Sequence, residues 1–417
     1  MTTPASYLDA HGAELITLLR RLVSIPTINP PGQDYERMTQ LLLREMALSG
    51  LKAQRFQISR GLLRKTLPRD QWNFPRYNVL GRWRETAARR TLHFNAHYDV
   101  VPVSGNWRHV SPFSGTVDGP WIYGRGTADM KGSVASLLIA LRALRATGAR
   151  PRMNVEVSFT ADEETDSALG TDWLVRHAPI SPDFAVVMEG GEGPSICCGH
   201  NGVVWLEVVV HGKAAHGSRP ETGINALEKM SALVLALDDY KRRLGANKFL
   251  SPDGRMMVPT LNLGGVFSSG PGGKINTVPA EARFSIDRRV LANETVADAE
   301  KDLREFLSGA ASKIPSCRIS VNKVSENHSC FSDPSDAFFG TMRDIVKRVR
   351  RAPAKFTVSS GFNDMFFFAH HLKIPTLGYG PGGEKLHAVD ECARVSDLVR
   401  TAKVYAQLLL EFDGEKS

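Results

Sequence analysis

The sequence lacks the features that mark membrane-spanning, disulfide-bonded and repetitive proteins. No apolar run in the 417 residues is long enough to cross a bilayer, and no internal repeat or low-complexity segment is visible. Its five cysteines (Cys197, Cys198, Cys317, Cys330 and Cys392) form an odd and scattered set. Such a set argues against a disulfide framework and fits a reducing compartment.

The beginning of the chain lacks the pattern of a secretory signal. It reads MTTPASYLDAHGAELITLLRRLVSIP, with an acid and a histidine where a signal peptide has a basic end and then an apolar block. Together with the cysteine usage, this predicts a cytoplasmic protein without a membrane partner.

Positive charge is present in excess but is not concentrated. The net charge is +8, yet no block of lysine and arginine is interleaved with aromatic residues. The dense run KRVRRAPAK (347–355) ends a helical pattern, where cations suit the helix dipole. We therefore expect no nucleic-acid partner, and the charge instead favours the approach of small anionic substrates.

The length of 417 residues exceeds one ordinary core, so two domains are expected. Helical patterns, such as the one at 133–144, alternate with short apolar runs that are typical of buried strands. These strand-like runs are YNVLGRW, TLHFNA, MNVEVSFTA, DFAVVME and IPTLGYG. Strands that alternate with helices predict an α/β fold with a mostly parallel sheet covered by helices.

A central segment follows a different pattern. GVVWLEVVVHGKAAHG (202–217) alternates like a half-exposed strand, and TLNLGGVFSS and ARFSIDRRV are further strand-like runs. Helical patterns occur at about 224–240 and 294–309. These elements predict an α+β domain at 203–323, inserted into a first domain that consists of 1–202 and 324–417.

Acidic residues and histidines follow four of the predicted strands. Ligands of open parallel sheets gather beyond the carboxyl ends of the strands, so these side chains are expected at one edge of the sheet. Each one taken alone is better explained by a hydrogen-bonded core histidine or a charged turn. In chain order they are His97 and Asp99, Glu163 and Glu164, Glu189, and His387 after a Gly-Pro-Gly-Gly segment.

The segment GRGTADMKG (124–132) adds one carboxylate, Asp129, among three glycines that permit a tight turn. In isolation it is explained by a solvated surface turn. Several carboxylates at one edge repel one another unless a cation neutralises them, and imidazole with carboxylate oxygen suits zinc. An aspartate between two metal ions can bridge them, with one oxygen on each.

Two questions stay open at this level. Of the neighbours Glu163 and Glu164, one can bind a metal while the other acts as the base on metal-bound water. The sequence CCGH (197–200) contains half of a cysteine metal site, but no second half is visible, so strand packing explains it better.

Five motifs together resemble the dinuclear zinc family of acetylornithine deacetylase, succinyl-diaminopimelate desuccinylase, aminoacylase and carboxypeptidase-G-type enzymes. They are HYD (97–99), GRGTADMKG, ADEE (161–164), Glu189 and KLHAVDE (385–391). The likeness covers nearly the whole chain, since it includes LVSIPTINPPG near the start and GKAAHGSRPETGINA in the central segment. It implies a zinc-exopeptidase-like catalytic domain with an inserted lid or dimerisation domain.

The resemblance implies two Zn²⁺ ions per chain, with Co²⁺ or Mn²⁺ able to substitute. It also implies a cis peptide between Asp129 and Met130. Glu192 is an alternative to Glu189 as a ligand. The expected ligands are His97, Asp129 and Glu189 for one ion, and Asp129, Glu164 and His387 for the other.

Three catalytic roles are implied in the same way. Asp99 orients His97 through the second ring nitrogen of that histidine. Glu163 acts as the general base and then as the general acid. His216 reaches from the inserted domain, often that of a partner subunit, toward the oxyanion.

The substrate-binding residues that the resemblance implies hold a free carboxylate and line the pocket. Asn276 and Arg289 match the carboxylate-binding groups, although the adjacent Arg288 is an alternative to Arg289. Gly380 and Gly382 belong to the GPGG segment (380–383), which resembles a backbone loop that lines the pocket.

These assignments predict a zinc-dependent amidohydrolase that cleaves an N-acyl amino acid with a free carboxylate. The alternatives are a carboxypeptidase or dipeptidase acting on small peptide-like amides, and a non-catalytic binding member of the fold. The complete set of ligands and the presence of Glu163 argue against the last one. We also expect a homodimer through the inserted domain, with GVVWLEVVV as an exposed edge strand. A monomer whose insert acts only as a lid is the alternative.

Overall fold

The computed structural model describes residues 2–85, 87–108, 111–190, 193–270 and 273–415. The helices are α1 (Pro4–Ala10), α2 (Gly12–Val23), α3 (Tyr35–Leu48), α4 (Arg60–Thr66), α5 (Lys131–Thr147), α6 (Thr171–His177), α7 (Ala226–Leu244), α8 (Val296–Lys313), α9 (Ala337–Arg350) and α10 (Val395–Glu411). The strands are β1 (Lys52–Gln57), β2 (Tyr77–Trp83), β3 (Thr91–His97), β4 (Thr116–Asp118), β5 (Trp121–Tyr123), β6 (Asn154–Thr160), β7 (Phe184–Val187), β8 (Ser195–His200), β9 (Gly202–His211), β10 (Ala215–His216), β11 (Phe249–Leu250), β12 (Met256–Met257), β13 (Thr260–Ser268), β14 (Thr277–Val278), β15 (Glu281–Val290), β16 (Arg318–Asn327), β17 (Cys330–Phe331), β18 (Lys355–Ser359), β19 (Thr376–Gly378), β20 (Gly383–Glu384) and β21 (Cys392–Arg394).

The chain divides into two compact units. Unit 1 comprises the chain up to Gly199, Ser332–Thr357 and the chain from Asn363 onward, and unit 2 comprises His200–Phe331 and Val358–Phe362. Strand β16 pairs with β9 as far as the partners Asn327 and Val203. A boundary at residue 323 would therefore cut this strand, which explains why unit 2 extends beyond the predicted insertion.

Unit 1 is built on a mixed sheet with a parallel centre. The strands lie in the order β1-β2-β6-β3-β7-β19-β8. The four neighbours β6, β3, β7 and β19 run parallel, whereas β1, β2 and β8 join antiparallel. This confirms the predicted α/β class with a mostly parallel sheet.

Strands β3 and β6 are buried on both faces, although polar side chains alternate with apolar ones in TLHFNAH and NVEVSFT. All seven residues of β3 and all seven of β6 are buried, as expected for strands that are covered on both faces. Helix α5 packs against α2 and α10 and is almost wholly buried. It ends at Gly148, whose left-handed φ of 71° suits a glycine C-cap.

Unit 2 is an α+β sandwich of one sheet and two helices. Its sheet has the antiparallel order β13-β15-β9-β16. Alternate residues of β9 and β15 form one core with α7 and α8, among them Val204, Leu206, Phe284 and Ile286. The prediction that GVVWLEVVV forms an edge was wrong, because β9 lies between β15 and β16, and β13 and β16 are the outer strands.

The structure also bears on two features that the sequence analysis considered, disulfides and membrane-spanning segments. None of the five cysteines, all of which lie in the described ranges, forms a disulfide. Over the described ranges, none of the helices combines the length and apolar character that a membrane crossing needs.

Candidate metal centre and its surroundings

Three of the four parallel strands of unit 1 lead directly to predicted acids or to His97 at one edge of the sheet. Strand β3 ends at His97, and β6 is followed by a short 3-10 turn at Glu163–Thr165. Strand β7 leads to Glu189 two residues later. Strand β19 leads into the glycine segment that begins at Gly380. Because these strands are adjacent and parallel, their carboxyl ends meet.

Asp129 and His387 come from a separate small sheet with the order β20-β21-β5-β4. The Asp129 loop leaves β5 and enters α5, and the His387 loop connects β20 to β21. In the Asp129 loop, Gly126 has a φ of 89°, a conformation that favours glycine. A Cβ on Gly132 would lie 2.3 Å from the carbonyl oxygen of Thr127, so the turn has no room for a side chain.

The carboxylate of Asp129 lies between the two histidines. Its Oδ1 is 3.1 Å from Nε2 of His97, and its Oδ2 is 3.1 Å from Nε2 of His387. The same His387 nitrogen is 3.1 Å from Oε2 of Glu164. The peptide between Asp129 and Met130 is cis, which confirms the prediction from the resemblance.

Two overlapping groups of donor atoms have the compactness of metal sites. One group is His97, Asp129 and Glu164, and the other is His97, Glu163 and Glu189, each with atoms within 4.8 Å of one another. Two ligands of one tetrahedral zinc, at about 2.1 Å from it, lie roughly 3.4 Å apart, so this spacing is compatible with zinc. Glu189 is thus grouped with His97 and Glu163, whereas the expected set joined it to His97 and Asp129.

The donor set also fits a cation because two of its oxygens have no partner. Oε1 of Glu164 and Oε2 of Glu189 are buried and accept no hydrogen bond from the described residues. A buried carboxylate oxygen without a partner is costly, and a bound cation would provide one. The competing ligand candidate Glu192 lies outside the described residues.

The pKa values of these groups reflect crowding of negative charge. Burial raises the pKa of Glu163 well above its usual range, and the carboxylate of Glu189 adds to the shift. Hydrogen bonds to Asp129 and Glu164 raise the pKa of His387 to about 10. Both shifts favour the protonated forms of these groups, and a bound divalent cation would compete with those protons.

Asp99 is fully buried and supports two parts of the site. Nδ1 of His97 lies 3.1 Å from the backbone oxygen of Asp99 and 3.5 Å from its carboxylate. The Asp99 carboxylate accepts hydrogen bonds from the backbone N–H groups of Glu163, at 3.3 Å, and Glu164, at 3.2 Å. It therefore connects the His97 strand to the turn that carries both glutamates.

Sequence reasoning missed the residues beneath that turn. Asp162 adopts a left-handed φ of 60°, and Nε of the fully buried Arg76 donates to its carboxylate at 2.8 Å. The hydroxyl of Tyr35 and the amide of Asn29 donate to Asp162 as well. Nothing in the local sequence marks Arg76, and Asn29 was given no role although it lies in the segment LVSIPTINPPG, because the importance of both lies in contacts with distant segments.

The two glycines predicted to line the pocket differ in environment. A Cβ on Gly380 would lie 2.5 Å from the carbonyl oxygen of Met188, the residue before Glu189. This glycine is therefore held close to the carboxylate cluster. The N–H of Gly382 donates to Oδ2 of Asp397 at 2.7 Å, so that group is already occupied.

Unit 2 keeps its predicted functional residues at the surface. His216 is exposed, and its Nδ1 lies 2.7 Å from the hydroxyl of Ser218. The neighbouring Gly217 donates its N–H to the carbonyl oxygen of Asn276 at 2.7 Å, which brings His216 and Asn276 together. Asn276 is likewise exposed.

The two adjacent arginines of β15 point in different directions. The side chain of Arg288 is 2% exposed and pairs with Glu294 at 3.1 Å. The side chain of Arg289 is 44% exposed and pairs with Asp287 at 2.9 Å. Of the two alternatives, Arg289 is the one that is accessible to a ligand.

The comparisons with known proteins agree with this arrangement. The model of peptidase family M20/M25/M40 matches residues 93–411, and the chain belongs to this family. It is a hydrolase of the amidohydrolase and metallopeptidase type, in a family that is generally metal-dependent.

Two curated relatives act on N-acyl compounds by name. Succinyl-diaminopimelate desuccinylase of Afipia carboxidovorans is 29% identical over 332 residues, which are 76% of this chain and 82% of the relative. Acetylornithine deacetylase of Photorhabdus laumondii subsp. laumondii is 28% identical over 403 residues, 95% of this chain and 97% of the relative.

Solved structures share the fold at lower identity. A metallo-carboxypeptidase of the M20 family from Sulfolobus solfataricus has a TM-score of 0.73 at 20% identity, over 95% of this chain and 98% of that chain. A dinuclear metal-binding peptidase of the M20 family from Bacillus subtilis has a TM-score of 0.68 at 15% identity, over 96% and 98%.

Proposed function

We propose that this protein is a two-zinc amidohydrolase that removes the acyl group from an N-acyl amino acid with a free carboxylate. The observation that carries the proposal is the Asp129 carboxylate, whose two oxygens face two different histidines. Co²⁺ and Mn²⁺ are expected to substitute for zinc, because selectivity among such ions is rarely absolute.

The residues that would hold the ions are His97, Asp129, Glu164, Glu189 and His387. When bound, zinc lowers the pKa of a coordinated water toward about 7 and polarises the scissile carbonyl. The buried and partnerless oxygens of Glu164 and Glu189 support their assignment as ligands.

Glu163 is the general base in this proposal, and Glu164 is a ligand. Oε2 of Glu164 lies 3.1 Å from His387, whereas Oε2 of Glu163 lies 3.9 Å from His97. Glu163 would take a proton from water and deliver it to the leaving nitrogen.

In this proposal, residues of unit 2 bind the free carboxylate of the substrate and stabilise the oxyanion. We assign Arg289 and Asn276 to the free carboxylate and His216 to the oxyanion, and the exposure of these side chains supports the assignment. Within unit 1, Gly380 and Gly382 would line the pocket, with the backbone of Gly380 the closer to the cluster.

The choice of a deacylase over a carboxypeptidase or dipeptidase rests on the sequence relatives. The two named above deacylate and cover most of the chain, whereas the peptidase structures share the fold alone. A screen of the zinc-loaded protein with acetyl, succinyl, formyl and aminoacyl amides of amino acids tests this choice. We expect the simple acyl compounds to be cleaved at least tenfold faster. Preferential cleavage of aminoacyl amides would favour the peptidase alternative, and no cleavage of any amide would overturn both.

We further propose that the protein is a homodimer through unit 2. Fifteen large apolar side chains are exposed among the described residues, and eleven of them belong to this smaller unit. The outer strand β13 carries two of the most exposed, Val266 at 69% and Phe267 at 73%. Exposed apolar side chains on an outer strand of a sheet are typical of protein interfaces.

A further inference from the structure

The carboxylate of Glu391 accepts hydrogen bonds from the loop that carries Asp129. Glu391 is completely buried, and its Oε1 accepts hydrogen bonds from three backbone N–H groups. The donors are Gly126 at 3.0 Å, Ala128 at 3.0 Å and Asp129 at 3.1 Å. Three donors that converge on one charged oxygen fix the path of the loop more firmly than neutral bonds would.

The second carboxylate oxygen and the backbone oxygen of Glu391 also accept hydrogen bonds. Nη1 of Arg125 donates to its Oε2 at 2.6 Å, and its backbone oxygen accepts from the N–H of Gly124 at 2.9 Å. The Arg125 guanidinium lies over the ring of Trp107, 5.5 Å from its centroid. Both carboxylate oxygens and the backbone oxygen of Glu391 therefore accept hydrogen bonds. All of these donors belong to the segment 124–129, which carries Asp129.

Glu391 also belongs to the segment that carries His387, four residues earlier. It is the residue before β21, which pairs with β5 on one side and β20 on the other. The Asp129 loop starts after β5, and His387 lies between β20 and β21. One residue thus connects the two loops that approach the metal centre from the small sheet.

We propose that Glu391 is a positioning residue that holds Asp129 ready to bridge two metal ions before any ion binds. This inference rests on the proposed metal function. Outer partners of ligands commonly change metal affinity by about 10–100-fold when they are removed. A carboxylate that only stabilised the fold would leave metal affinity unchanged.

The first test compares two buried glutamates that pair with arginine. In Glu391→Gln the charge is lost while the size is kept, and zinc affinity measured by chelator competition should fall at least tenfold. Glu45→Gln is the matched control, because Glu45 is 1% exposed and pairs with Arg21 at 2.8 Å and with Arg142. It should lower the melting temperature and change zinc affinity less than threefold. Unchanged affinity in Glu391→Gln, or an equal loss in Glu45→Gln, would overturn the proposal.

The second test uses the unaltered chain and so does not depend on whether the variant folds. We expect hydrogen exchange in a peptide covering 124–131 to be slow in the metal-free protein and nearly the same after zinc is added. Fast exchange that becomes slow only with zinc would mean that the metal, not Glu391, orders the loop. A wild-type protein that binds neither zinc nor cobalt would instead overturn the proposed metal function.

Discussion

Unit 1 buries or half-buries the side chains that resemble metal ligands, apart from the exposed His387, whereas unit 2 exposes the side chains that resemble substrate-binding groups. His97 is 1% exposed and Asp129 8%, and both are held by hydrogen bonds from several segments. In unit 2, His216 and Asn276 lie at the surface, and the ring of His216 contacts the hydroxyl of Ser218, two residues along the chain. Changes in unit 1 should therefore alter metal binding, the chemical step or both, while changes in unit 2 should reduce activity and leave metal binding intact.

The largest effect is expected for Glu163→Gln, which keeps the shape of the side chain but cannot accept a proton. Turnover should fall by two or more orders of magnitude, the usual scale for loss of a general base. Both metals should remain. Glu164→Gln should instead lose one metal, and excess zinc should restore part of its activity. Rate and metal content measured on both variants check this, and a reversed pattern would exchange the two roles.

Two histidine variants, one in each unit, test the difference in metal binding between the units. His97→Ala should reduce the metal content below the two ions expected per chain, because its ring nitrogen belongs to both donor groups. His216→Ala should retain both ions and lose turnover only. Elemental analysis after zinc loading and desalting distinguishes them. Equal metal content in wild type and His97→Ala would contradict the assigned centre.

A moderate effect is expected from the two adjacent arginines. Arg289→Ala removes an exposed charge, and hydrogen bonds to charged groups contribute about 1.5–3 kcal/mol, so kcat/KM should fall roughly ten- to a hundred-fold. Its melting temperature should stay within about a degree or two of wild type, the usual result of a surface change. Arg288→Ala should do the opposite, since it leaves Glu294 without its buried partner. Similar kinetic losses in both variants would argue against Arg289 as the carboxylate-binding group.

The smallest effect on the folded chain itself is expected for Phe267→Asp. This side chain is 73% exposed, so the change should leave the melting temperature of a monomer unaltered. In a dimer interface it would place an unpaired carboxylate among apolar groups, which costs several kcal/mol. Sedimentation at micromolar concentration should shift from dimer to monomer. Leu48→Asp in unit 1, where the side chain is 59% exposed, is the control and should have no effect.

Much of unit 1 could be predicted because its strands form short segments rich in apolar residues and several of its ligands follow them directly. The runs before His97, Glu163 and Glu189 form neighbouring parallel strands, and parallel strands bring their carboxyl ends to one edge. The small sheet that delivers Asp129 and His387 was not predicted. Its strands have only two or three residues, too few for a recognisable period.

The edge position proposed for GVVWLEVVV failed for a related reason. Alternation along a strand shows which residues face a core, but it does not show how many neighbours the strand has. The role of Glu391 was equally invisible, although the motif that contains it was recognised. Its acceptor pairs with N–H groups more than 260 residues away in sequence.

The sequence by itself determined the fold class, the presence of an α+β insertion and the side chains that gather at the sheet edge, because local periodicity and strand ends set these. Only the tertiary structure decided which oxygen of Asp129 faces which histidine, which of two glutamates contacts His387, and which of two arginines is exposed. These choices depend on bonds between segments as far as 258 residues apart, such as the one that joins His387 to Asp129. No local pattern encodes such a distance, so the packed chain alone decides them.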